Sequence, residues 1–143
     1  MKVDPDALYD ILSTGLKLPY STRPNATWTE QTTKDALELI KNQPKSVGYK
    51  DGHLRCRDEC TPFLIACLNC ENVPKEVILA ILQSDPSVVN SKILVSDRPR
   101  YVLVDAYKNN EDSFKQKVWP IVEPFDATMD AELIQKLTEL KVF

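Results

Sequence analysis

Thr61-Pro62-Phe63-Leu64-Ile65-Ala66-Cys67-Leu68, then Val73-Pro74-Lys75-Glu76-Val77-Ile78-Leu79-Ala80-Ile81-Leu82, then Asp85-Pro86-Ser87-Val88-Val89-Asn90, is the stretch on which the fold turns. Thr61 followed by Pro62 is a helix start, because a threonine hydroxyl caps the first turn and proline fits a position whose N–H has no partner. Residues 63–68 are apolar all round, which predicts a central helix enclosed by others. Val73-Pro74 opens a second helix, in which Val77, Ile78, Ile81 and Leu82 form one stripe. Asp85-Pro86 ends it.

Outward from this pair, helical spacing recurs on both sides. Asp4-Pro5 begins a short helix with Ala7, Leu8, Ile11 and Leu12 on one face, and Gly15 supplies the left-handed residue that closes it. Residues 18–29 carry two prolines and no period, so they read as a loop pinned to the core by Trp28. A helix resumes near Thr33, with Ala36, Leu37 and Ile40 on one side, and stops before Pro44. Lys45 to Cys60 reads as a loop or a short hairpin-like excursion, and Ser91 to Arg100 as a long polar loop. Pro99 to Asn109 suits a helix, although Tyr101–Val104 also fits a short strand. Phe114, Val118 and Ile121 mark a further helix, capped near Ser113 and disturbed at Pro120. Met129, Leu133, Ile134, Leu137 and Leu140 form the apolar stripe of a final helix over 128–141.

The chain also repeats itself. Residues 36–47 align without gaps on residues 78–89, each an apolar helix closed by proline and then valine, with a period of about 40 residues. Helix pairs of this kind bury both faces only by stacking, which is the physics of a helical solenoid. The segments 61–67, 76–82 and 85–90 resemble an ankyrin repeat. In that family a Thr-Pro-Leu-His turn starts the inner helix, a Glu-Val-Val helix packs outside it, and a Val-Asn pair leads into the next finger loop. The close match spans about 30 residues. Leu64 replaces the family's histidine, residues 69–73 exceed its tight turn, and Arg98-Pro99-Arg100-Tyr101 is only a weak Thr-Pro start. The expected fold is therefore all-α: a short solenoid of stacked antiparallel helix pairs, ankyrin-like, with capping helices and long loops. It occupies 1–143 as one domain, with an N-terminal cap and loop over 1–32, repeat units over 33–125 and a C-terminal capping helix over 126–143.

Composition bounds the function. A chain of 143 residues with 43% apolar content can bury one core. Its 18 Lys+Arg against 21 Asp+Glu give net −3, so no cationic excess is present to neutralise phosphates, and nucleic acid is not the expected partner. No run approaches the roughly 18–20 apolar residues of a bilayer span. Asp4, Asp6 and Asp10 fall where a signal peptide would be apolar, which points to an intracellular protein, cytoplasmic or nuclear. The acceptor pattern Asn25-Ala26-Thr27 is idle in that setting.

All four cysteines and the single histidine lie within residues 53–70: His53, Cys56, Cys60, Cys67 and Cys70. Thiolates at such spacing are zinc ligands, and Cys56, Cys60, Cys67 and Cys70 can close a tetrahedron. If residues 61–69 are helical, however, Cys67 faces inward and packs as a small hydrophobe. A cysteine nucleophile with His53 as base has no local support, and the chain lacks a phosphate-cradling glycine loop, so no enzymatic activity is expected. Lys92, Arg98 and Arg100 around Tyr101 form a small basic patch, read as solvated loop. Trp28, Trp119 and Phe125 read as packing rings.

The ankyrin resemblance implies protein binding, with no cofactor, through the concave face and projecting loops. Tyr49, His53, Leu54, Arg55, Arg57, Ile93, Leu94, Arg98 and Tyr101 are the candidate contacts, because aromatic, arginine and exposed apolar side chains dominate interface energy. The alternative is a small zinc-stabilised adaptor or regulatory domain built on the cysteine cluster.

Overall fold

The computed structural model describes residues 7–17, 23–47, 62–95 and 98–141, and of 93–95 and 98–99 the backbone alone. Eight α-helical segments are described: α1 (Ala7–Leu12), α2 (Glu30–Asn42), α3 (Pro62–Leu68), α4 (Lys75–Ser84), α5 (Val102–Asn109), α6 (Glu111–Ser113), α7 (Trp119–Val122) and α8 (Ala131–Glu139). Between α4 and α5 lie two strands, β1 (Lys92–Val95) and β2 (Arg98–Tyr101). The architecture is mostly helical. Among the described residues, no helix is long and apolar enough to cross a membrane.

α3 holds the centre. Every residue from Pro62 to Cys67 is buried, because a run apolar on all sides lowers its free energy only where neighbours cover all of it. α3 packs against α1, α5 and α4. α4 also touches both α2 and α7, while α1 packs on α2. α8 lies against α5. Phe63, Leu64, Ile65, Val77, Ile78, Ile81, Leu82, Val102 and Leu103 are essentially inaccessible to solvent and join these helices into one core.

The two aligned segments adopt the same local structure. At the end of α2 the Gln43 N–H donates to the Leu39 carbonyl (2.8 Å), and at the end of α4 the Asp85 N–H donates to that of Ile81 (3.0 Å). Gln43 (φ −131°, ψ 63°) and Asp85 (φ −150°, ψ 89°) then both leave the α region, which the following proline disfavours. Each gives way to a 3₁₀ turn, Pro44–Ser46 or Pro86–Asn90. Val47 and Val89, equivalent in the alignment, are both fully buried.

Several boundaries differ from expectation for identifiable reasons. α2 begins at Glu30, earlier than Thr33, because Thr29 caps it: the Thr32 N–H donates to Thr29 Oγ1 and the Thr29 N–H donates to Thr32 Oγ1. Thr33 instead accepts from the Trp28 indole N–H at 2.8 Å, and Trp28 packs against the core as expected. Residues 92–101, read as loop running into helix, form an antiparallel hairpin with Leu94 opposite Pro99. The Val102 N–H donates to the Ser91 carbonyl at 2.8 Å. Alternation along the ladder then puts the Leu94–Pro99 pair at a position without hydrogen bonds, where proline forfeits none. The helix accordingly starts at Val102.

The disturbance at Pro120 is a π turn over Phe114–Val118, in which the Trp119 N–H reaches back to the Phe114 carbonyl. Proline has no N–H to offer the carbonyl four residues earlier and its ring crowds that group, so the backbone widens ahead of it. In α8 the stripe is only partly used. Met129, Leu133 and Leu137 are buried, whereas Ile134 is 39% exposed.

Two features close the N-terminal end. Gly15 adopts φ +82°, and a Cβ there would meet Asn72 Nδ2 at 3.0 Å. Asn69, buried just beyond α3, donates through Nδ2 to the carbonyls of Leu12 (2.8 Å) and Thr14 (2.9 Å), and its Oδ1 accepts from Asn72. These bonds satisfy carbonyls that the end of α1 leaves open. Asn69→Ala should therefore lower stability by about 2 kcal/mol, the cost of leaving buried carbonyls unpaired. Urea unfolding followed by circular dichroism measures it, and an unchanged midpoint would show that the bonds carry no net stability.

Candidate functional site

The hairpin is anchored at its base and reaches outward from there. Tyr101, the last residue of β2, is buried, and its hydroxyl donates to Asp130 Oδ2 at 3.1 Å. Burial, then the bond to Asp130 and that carboxylate's charge, pushes the phenol up to about 12. Lys92 Nζ sits 4.9 Å from the centre of the same ring, within cation–π range. Beside it, Asn90 donates through Nδ2 to the Thr128 carbonyl (2.9 Å) and accepts from the Asp130 N–H (2.8 Å). The base of the hairpin and the start of α8 are thus one hydrogen-bonded unit. Tyr101, expected as an exposed contact, is instead an anchor: an aromatic ring ending a strand beside the core gains more from burial than from solvent.

The remaining expected contacts divide cleanly. Ile93, Leu94 and Arg98 lie on β1 and β2 beyond the anchor. Tyr49, His53, Leu54, Arg55 and Arg57 lie outside the described residues. The basic patch is partly engaged by the protein itself, since Arg100 pairs with Asp105 at 3.4 Å while Lys92 covers Tyr101. Asp105 is half-buried, and that burial raises its carboxyl above the usual range against the opposing pull of Arg100 and Lys108.

Cys67 and Cys70 are both buried free thiols. Cys67 faces inward from the last turn of α3. Burial pushes its thiol well up, with the Cys70 charge adding to the rise, and burial also raises Cys70. Both therefore stand as neutral thiols near neutral pH, which disfavours nucleophilic attack. Among the described residues, no group of three or more histidine, cysteine or acidic side chains is placed to hold a metal. Cys56, Cys60 and His53, the other members of the cluster, lie outside them.

Two features escaped the sequence reading. Ser113, forty-two positions after Glu71, donates its hydroxyl to Glu71 Oε1, and Asn110 Nδ2 donates to the same oxygen at 3.3 Å. A groove between α7 and α8, of about 330 Å³, is lined by Trp119, Glu123, Asp126, Met129, Ile134 and Leu137. No family model, curated protein or solved structure matches the chain.

The Ser113 bond, then Lys117 and the Asn110 bond, hold the Glu71 carboxyl below its ordinary value of 4.5. A depressed carboxylate stabilises the fold fully above that value, and the contribution vanishes as pH falls through the lower, folded-state value. Glu71→Gln should therefore flatten the loss of thermal stability on acidification below pH 4.5. Calorimetric melting temperatures from pH 6 to 3 test this, and parallel curves for the two proteins would refute it.

Proposed function

We propose that this chain is a divergent ankyrin-like array that binds a partner protein through its concave face, the hairpin and the segment 48–59. The observation that carries this function is the anchored hairpin: Tyr101, Asn90 and Asp130 fix its base, so β1 and β2 are held in one orientation before any partner arrives. A preorganised contact surface loses less conformational entropy on binding. The array itself is supported by the packing of α3 against both α1 and α5, by that of α4 against α2 and α7, and by the shared exit hydrogen bonds at Gln43 and Asp85. In the ankyrin resemblance the hairpin stands where a finger loop follows the valine-asparagine pair, here Val89-Asn90.

Binding, with no bond-making chemistry, is the activity assigned, and the thiols Cys67 and Cys70 are packing groups in a reduced intracellular setting. Tyr49, His53, Leu54, Arg55, Arg57, Ile93, Leu94 and Arg98 remain the contact set, while Tyr101 serves it as an anchor.

Affinity capture from cell lysate with the whole chain as bait tests the assignment, with Ile93→Ala, Leu94→Ala and Arg98→Ala combined in one variant. Truncation of interface anchors costs about 1–2 kcal/mol or more each, so a partner held by the parent chain should be depleted at least tenfold on the variant while circular dichroism stays unchanged. Equal recovery on both baits would remove the hairpin from the contact surface.

A further inference from the structure

The groove between α7 and α8, at the edge of the core, has the chemistry of a docking site. Its floor is apolar: Trp119 and Met129 are nearly buried, Leu137 is fully buried, and Ile134 closes one wall while 39% exposed. Ile134 continues the helical stripe of Leu133 and Leu137, so the apolar face of α8 is wider than the surface that α5 and its neighbours cover. Methionine and tryptophan in such a wall adapt to inserted apolar side chains.

The rim is one-signed. Glu123 and Asp126 line the groove, both exposed, and among the described residues no lysine or arginine lines it. The Trp119 indole N–H donates to Glu123 Oε2 at 2.9 Å, which fixes that carboxylate at the edge of the apolar floor. A purely apolar occupant would leave two carboxylates against a partner that cannot answer them, and an acidic one would be repelled. At about 330 Å³ the space lies at the small end of ligand pockets, roughly 300–1,000 Å³. That size suits one or two side chains and no large cofactor.

We infer that this groove takes a segment of a partner protein presenting a large apolar side chain flanked by lysine or arginine, the side chain inserting between Trp119 and Ile134 and the cations pairing with Glu123 and Asp126. The site is separate from the hairpin surface and does not depend on it.

The test uses the full chain and a fluorescein-labelled, amidated hexapeptide, Lys-Leu-Lys-Lys-Phe-Lys, followed by fluorescence anisotropy at low salt. Saturable binding is expected, weakened at least tenfold when the peptide's lysines become glutamate and at least tenfold when its leucine and phenylalanine become serine. On the protein, Ile134→Ser and the pair Glu123→Gln with Asp126→Asn should each weaken binding at least fivefold. Ile134 is exposed, so its variant should keep the parent's circular dichroism, and the carboxamide at 123 still accepts the indole N–H. Absence of saturation, indifference to the peptide's charge, or full retention of affinity in the Ile134→Ser and double carboxamide variants would overturn the assignment. So would a dimer in sedimentation that Ile134→Ser dissolves, because the groove would then belong to a second copy of this chain.

Discussion

The enclosure of α3 is the constraint from which the rest of the structure follows. A seven-residue helix apolar on every side has no face to give to water, so α1, α5 and α4 must surround it. Once they do, their outer faces need cover in turn: α2 packs on α1 and α4, α7 on α4, and α8 on α5. Asn69, placed directly after α3, converts this packing into a fixed register by bonding the end of α1. One buried polar side chain with every bond made thus orients a core that apolar contacts alone would leave free to slide.

The same logic separates support from function along the chain. The hairpin leaves the core between α4 and α5, and its base is tied to the start of α8 through Asn90, Tyr101 and Asp130. The C-terminal groove forms where α8 presents more apolar surface than its neighbours cover, and the π turn ahead of Pro120 sets where Trp119 stands in it. Both candidate binding surfaces are therefore by-products of how the helices pack and where their connections emerge.

Much of the helical architecture was legible because periodicity and proline act locally. Pro62, Pro74 and Asp85-Pro86 stand at helix boundaries, as their missing donors predict, and the gap-free match of residues 36–47 with 78–89 carried over into equal helix exits. The hairpin was harder, since Tyr101-Val102-Leu103-Val104 satisfies strand and helix spacing alike and only the pairing across to Lys92–Val95 breaks the tie. Tyr101 shows why contact residues are difficult to name from composition: an aromatic in a polar segment signals an anchor as readily as an exposed contact, and here the Asp130 bond decides it. The Glu71–Ser113 and Asn69–Leu12 bonds join residues remote in sequence and leave no local trace. Ile134 sits at correct helical spacing, yet its exposure depends on the width of the facing surface, which α8 alone does not encode.

Native-state hydrogen exchange bears most directly on the central place of α3. The amides of Ala66, Cys67, Leu68 and Asn69 donate within or at the end of that helix, the last to the Ile65 carbonyl at 2.9 Å. They should exchange only through global unfolding, with protection matching the stability found by urea, while α8 amides exchange through cheaper local opening. Exchange from α3 as fast as from α8 would contradict the account, because a helix that opens alone cannot be the one around which the others are arranged.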